Sequence, residues 1–261
     1  MVKAYLRYEP GPVLGAIAAG PGLAYALPDG GLLASGAGES IAVWDARTGG
    51  RVRTLAPARS EATGEVAGEV TVRAAGPVVG AGVGANAAAG GSAPPPRGPL
   101  ASGHSDGRVR LWDWGTGACD AALAGHSGPV TALAWGPPEG GLLASGGADT
   151  DVVVWDASAE AGLFRLRGHV GQVTGLAFLR GGRGLVSASK DGHVRVWDLA
   201  ARACVQTLVP TAAGASAASR AAGAGASATG ELWALALDPA GDRVAVAGAG
   251  GEVVVFRVED A

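Results

Sequence analysis

Cysteine, lysine and aromatic rings are all scarce in this chain, and the shortage of cysteine excludes the most. There are only two cysteines, Cys119 and Cys204, and no paired Cys spacing. That argues against a zinc site and against a secreted disulfide framework. Each cysteine follows a Trp-Asp aspartate, Asp113 or Asp198, at the same distance. The two therefore hold equivalent places in different copies of a repeat and are not expected to pair, which fits a reducing compartment. Basic residues number 20 against 23 acidic, a formal net charge of −3. No global basic field is available to neutralise phosphates. Lys3 and Lys190 are the only lysines, and no Lys/Arg cluster signals nuclear import. No apolar run is long enough to span a bilayer. The stretch VLGAIAAGPGLAYAL (13–27) imitates the core of a signal peptide, but Glu9 and Pro10 precede it and Pro21-Gly22 interrupt it.

What the chain does have is apolar residues, 48% of 261, and 46 glycines. That combination suits many short strands joined by tight turns. A repeat orders them. GGLLASGAGESIAVWD (30–45) returns almost verbatim as GGLLASGGADTDVVVWD (140–156). Trp-Asp occurs at Trp44-Asp45, Trp112-Asp113, Trp155-Asp156 and Trp197-Asp198, and a fifth copy ends EVVVFRVED with Phe256 in the Trp position. The last two steps are 155 − 112 = 43 and 197 − 155 = 42 residues.

In each copy LLASG, VSAS or VAVAG precedes a small polar turn, and VVVWD, VRVWD, VRLWD or IAVWD follows. Alternating β-branched residues around Asp106-Gly107 or Asp191-Gly192 read as hairpins. Two further strand-like runs precede each hairpin, for example GLFRLRGH and then GQVTGLAFL. Four strands in about 42 residues is the period of a WD40 propeller blade. The expectation is an all-β, WD40-type β-propeller spanning residues 1–261 as one region. It should have about five four-stranded blades, with hairpins at 32–44, 100–112, 142–155, 185–197 and 243–256, and should form an incomplete, open propeller. The tracts at 76–99 and 210–230 lack the period of packed elements and read as low-complexity surface loops.

The polar residues inside the repeat define the candidate sites. His126, Ser145, Asp149 and Trp155 form one complete set; His169, Ser187, Asp191 and Trp197 form another at the same spacing. In WD repeats such residues form one buried chain: Trp N–H to Ser, Ser to one His nitrogen, the other His nitrogen to Asp. Each buried polar group is then satisfied. Ser102, Asp106 and Trp112 are a partial set with no Gly-His ahead of them. Ser35 and Trp44 are a smaller one, with Gly38 at the Asp position. The fifth copy has neither His nor Trp.

Ser, His and Asp together also suggest a hydrolase triad. The set occurs twice, however, each Ser is mid-strand with a Trp partner, and no oxyanion hole is evident. GHSDG (103–107) matches a nucleophile elbow but leads into the strand RVRLWD, not a helix. GAGVGA (80–85) matches a dinucleotide fingerprint but runs into GGSAPPPRGP, which cannot be the required helix. His104 and His193 fall in hairpin turns and are expected to be solvated. Trp114, Trp135 and Trp233 offer an aromatic surface patch as one reading, but core or blade packing is the default expectation for them. No cofactor, metal, membrane or small-molecule substrate is called for.

Two stretches say more than the repeat does. KAYLRYEPGPVLGAIA (3–18) and LASGGADTDVVVWDASAEAGLFRLRGHVGQVTGLAFL (143–179), continued by SKDGHVRVWDL and ELWALAL, closely resemble the family of WD repeat-containing protein three, also called the Dip-two or U-three-protein-twelve family. The resemblance covers almost everything outside the two low-complexity tracts. It implies a non-enzymatic scaffold in small-subunit ribosome biogenesis: a UTP-B-like subunit of the small-subunit processome, located in the nucleolus. Its implied partners are other protein subunits, the U-three small nucleolar RNA particle and precursor ribosomal RNA, with any RNA contact indirect or local. Family members carry tandem propellers and a helical C-terminal region. This chain is therefore expected to represent part of the first propeller, whether as a fragment, a truncated gene product or a degenerate paralogue. The competing readings are a generic WD adaptor, such as a ubiquitin-ligase substrate receptor or chromatin reader, and, more remotely, a Ser hydrolase.

Overall fold

The structure, a computed structural model, describes residues 23–25, 32–56, 69–75, 99–113, 116–137, 141–210, 230–238 and 241–258. The run 3–18, Trp114 and nearly all of the tracts at 76–99 and 210–230 lie outside the described residues. Five antiparallel sheets follow one another along the chain. Blade one holds β1 (Leu23–Tyr25), β2 (Leu32–Ala37), β3 (Ser40–Asp45) and β4 (Arg51–Leu55). Blade two holds β5 (Val70–Ala75), β6 (Pro99–His104), β7 (Arg108–Asp113) and β8 (Cys119–Ala124). Blade three holds β9 (Val130–Trp135), β10 (Leu142–Gly147), β11 (Val152–Asp156) and β12 (Ala161–Leu166). Blade four holds β13 (Val173–Phe178), β14 (Gly184–Ser189), β15 (Val194–Asp198) and β16 (Ala203–Leu208). Blade five holds, among the described residues, β17 (Leu232–Leu237), β18 (Arg243–Gly248) and β19 (Val253–Arg257).

The first strands of successive blades, β1, β5, β9, β13 and β17, lie side by side. Among the described residues β17 and β1 do not lie side by side as the other successive first strands do, so the blades form an open series. Blades one to four meet the expectation of four strands, and the fifth shows three among the described residues. The sequence repeat is also out of phase with the blade. The run GLFRLRGH, which opens a repeat, supplies β12, and β12 pairs with β11 of the preceding blade. Each repeat thus finishes one blade and starts the next, so the chain itself links neighbours.

Hydrophobic burial between blades follows one pattern. Ile41, Val43 and Leu55 of blade one cover Leu100 and Trp112 of blade two. Val109, Leu111 and Leu123 of blade two cover Leu143 and Trp155 of blade three. Val152, Val154 and Leu166 of blade three cover Leu185 and Trp197 of blade four. At the last joint Val194 and its neighbours meet Val244, Val246 and the smaller Phe256. Burying one such side chain contributes about 1.5–3 kcal/mol, so each joint is a small core. Close approach demands a missing side chain at Gly146, where a Cβ would lie 2.5 Å from Val173 Cγ1 of the next blade.

Two β-bulges recur. In blades one to four the outer pairing shifts register at Trp44, Trp112, Trp155 and Trp197. Bulges re-aim side chains, and here they coincide with the indoles buried in the joints. The innermost pairing shifts beside Thr71, Thr131, Thr174 and Trp233.

Candidate functional site

The polar sets are built on the hairpin that ends in Trp-Asp. In blade three Trp155 Nε1 donates to Ser145 Oγ at 2.8 Å, and Ser145 lies 2.8 Å from His126 Nε2. His126 Nδ1 faces Asp149 Oδ1 at 2.9 Å, and the Ser127 amide donates to Asp149 Oδ2 at 2.8 Å. Blade four repeats this closely: Trp197 to Ser187 at 2.8 Å, Ser187 to His169 Nε2 at 2.7 Å, and His169 Nδ1 to Asp191 at 2.9 Å. A serine that accepts from the indole must donate to the imidazole, which leaves Nδ1–H for the carboxylate. The glycine of Gly-His is needed because a Cβ on Gly125 would lie 2.5 Å from the Trp155 ring.

Burial alone would raise the carboxyl of Asp149. The Ser127 amide, the His126 ring and the Asp151 amide outweigh it, and the group sits below its ordinary value. Asp191 is likewise raised by burial but held below its ordinary value by His169 and the amides of His193 and Val170. His169 is pushed down by burial, which outweighs its attraction to Asp191.

Taken alone, Ser145–His126–Asp149 has the connectivity of a hydrolytic triad. Yet Ser145 and Ser187 are completely buried, and each hydroxyl is engaged by an indole. A nucleophile needs access to its substrate, and these serines have none. Among the described residues no group of three or more His, Cys, Asp or Glu side chains could hold a metal.

Blade two corrects one expectation. His104 is not solvated; it is completely buried, with Nε2 2.9 Å from Ser102 Oγ. Trp112 donates to the same Ser102 at 2.8 Å. Residues i and i+2 of a strand share a face, so His104, two places after Ser102 on β6, substitutes for the absent Gly-His. Asp106 takes a different partner, Arg110 Nη2, at 2.8 Å. His193 is only partly buried and contacts the Asp191 carbonyl at 2.8 Å. Blade one keeps only Trp44 to Ser35, 2.8 Å, with Gly38 at φ +63° in a shorter turn.

Two further sets of residues lie outside the sequence expectations. The Trp-Asp aspartates lie outside the buried chains and hold the turn into the outer strand. Asp45 accepts the amides of Arg47 and Thr48, Asp156 those of Ser158 and Ala159, and Asp198 those of Ala200 and Ala201. Blade five has Arg257 at this place and no described fourth strand. Secondly, the bulge threonines cross the joints. Thr71 donates to Val130 O, Thr131 to Val173 O and Thr174 to Leu232 O, each a carbonyl of the following blade. At the corresponding bulge of blade five stands Trp233, which is 61% exposed and so corrects its expected packing role. Trp135 is partly buried against the core between blades two and three.

The family model described as WD40 (WD domain, G-beta repeat) matches residues 89–113, 117–156 and 162–198, which include the Trp-Asp hairpins of blades two to four. The chain is a WD-repeat protein with propeller-type blades. No curated protein matches it. WD40 repeats typically serve as non-catalytic scaffolds that mediate protein–protein interactions.

Proposed function

We propose that the chain is a scaffold of small-subunit ribosome assembly, acting in a UTP-B-like complex of the nucleolar small-subunit processome. The observation that carries this reading is the combination DTDVVVWD, GLFRLRGH and VTGLAFL between residues 149 and 179. It resembles one family of WD proteins more closely than the general repeat requires. In the structure this segment spans β11, β12 and β13, the joint between blades three and four. The buried polar sets act as ties within blades and leave the exposed surfaces for partners. With a formal net charge of −3, contact with precursor ribosomal RNA or the U-three particle is local and secondary to protein contact. Association should therefore survive moderate salt better than a purely phosphate-driven complex would. Gradient sedimentation and imaging of a tagged full-length protein test this. Co-migration with precursor small-subunit particles and a nucleolar signal are expected. A cytoplasmic protein absent from those particles would favour the generic adaptor.

A further inference from the structure

At the end of blades three to five away from the Trp-Asp turns, cations have carboxylate partners. Arg165 Nη1 lies 2.6 Å from Asp151 Oδ2, and Lys190 Nζ lies 3.8 Å from Glu231 Oε2. The opposite end of blades four and five differs. Arg180 and Arg183 stand on the turn between β13 and β14, Arg202 on the turn between β15 and β16, and Arg243 at the start of β18. All four are exposed, and none forms an ion pair or a side-chain hydrogen bond with a described residue.

Backbone and packing contacts join these turns into one surface. The Leu199 amide donates to Arg183 O at 3.0 Å, which ties the turn carrying Arg202 to the turn carrying Arg183. A Cβ on Gly241 would lie 3.2 Å from Arg180 Cβ, so the loop leading to Arg243 packs on the turn of blade four. The Arg202 guanidinium carbon sits 5.1 Å from the centroid of the Phe164 ring; the stacking steadies the group and leaves its N–H edge free to donate. Arg243 also faces Arg257 across the β18–β19 pairing, and like charges so placed repel. The carboxylates on the same turns are Asp198, Asp238 and Asp242, of which Asp198 already accepts the amides of Ala200 and Ala201. The described turns thus hold an excess of positive charge in a chain whose formal net charge is −3.

We propose that the turns at the Trp-Asp end of blades four and five are a contact site for the phosphate backbone of single-stranded RNA, with Arg180, Arg183, Arg202 and Arg243 as its cations. The guanidiniums stand on separate turns of two blades, so they match a run of phosphates better than one phosphate group. Arginine donates to phosphate through its planar fork. A protein partner would need apolar or aromatic anchors, and none of the described residues on these turns is an exposed large hydrophobic side chain. A phosphate backbone needs only the cations. The choice of RNA rests on the ribosome-assembly reading; the excess of unpaired arginine does not.

The test titrates the full chain against a fluorescein-labelled single-stranded RNA of about 20 nucleotides, at salt concentrations between about 50 and 200 mM. Each engaged arginine should add about −0.7 to the slope of log affinity against log salt, so four should give about −3. Changing all four arginines to Gln should weaken binding about tenfold or more and flatten the slope toward zero. The four side chains are exposed, so this variant should keep the denaturation midpoint of the parent. The double variant Arg47→Gln/Arg51→Gln, on blade one, should bind as the parent does. No RNA binding at the lowest salt, or equal binding by the fourfold variant, would overturn the proposal. Equal loss in the blade-one variant would show a general charge effect and overturn it as well. A polyglutamate peptide of the same charge that displaces the RNA at equal concentration would mean an acidic protein segment is the occupant, and would overturn it too. RNA binding lost in the fourfold variant, by a protein that is absent from precursor particles, would sink the ribosome-assembly reading and leave this site standing.

Discussion

His104 and His169 do one job from different positions in the sequence. Each ring satisfies a buried serine that also holds an indole. Removing either leaves buried polar groups short of a partner, a loss of about 1–3 kcal/mol. His104→Ala and His169→Ala should therefore lower the denaturation midpoint comparably. His193→Ala should cost less than about 0.5 kcal/mol, as partly exposed substitutions commonly do. Equal losses for all three would contradict the assignment. Spacing made His126 and His169 legible because Gly-His, Ser, Asp and Trp recur in a fixed order. His104 looks like a turn residue in the sequence because its neighbours Ser105, Asp106 and Gly107 are turn formers, yet strand alternation from Ser102 aims it inward.

Acid should weaken the fold in two steps. His169 has its pKa depressed by burial, so the unfolded chain takes up this proton first. Stability linked to His169 is full above the ordinary histidine value of about 6.5 and falls as pH drops through it. The lowered carboxyls of Asp149 and Asp191 give stability that is full above about pH 4 and is lost on further acidification. Urea midpoints measured from pH 8 to pH 3 should show both declines, and His169→Gln should flatten the first. A midpoint that rises between pH 7 and pH 5 would be inconsistent with a neutral, buried His169.

At the scale of elements, bulges and turn aspartates determine how blades meet. Thr131 bridges Gly146 of its own blade and Val173 of the next. Thr131→Val keeps the shape but strands a carbonyl at the joint, and should cost about 1 kcal/mol. Amide exchange should accelerate in β9 and β13 before β2 and β3; a uniform change would argue against a local joint. Asp156→Ala removes the acceptor for the Ser158 and Ala159 amides and should loosen β12 by a similar amount. The hairpins were legible because Trp-Asp and Asp-Gly punctuate them. The phase was not, because GLFRLRGH is equally strand-like whichever neighbour it pairs with. The joint threonines were hidden because Thr in an apolar strand reads simply as a β-branched residue.

At the scale of the molecule, five blades stand in an open series in which each packs on its neighbours through an aliphatic and aromatic core. Such a series offers an extended surface, which suits a scaffold. The ribosome-assembly reading rests on sequence resemblance, which acts at particular residues, and not on the blade architecture, which many functions share. Its most direct test is rapid depletion of the protein in cells of its source, followed by pulse-labelling of ribosomal RNA. The account predicts early loss of mature small-subunit RNA, accumulation of its precursor, and large-subunit RNA initially unchanged. Unaltered small-subunit precursor processing after full depletion would contradict it.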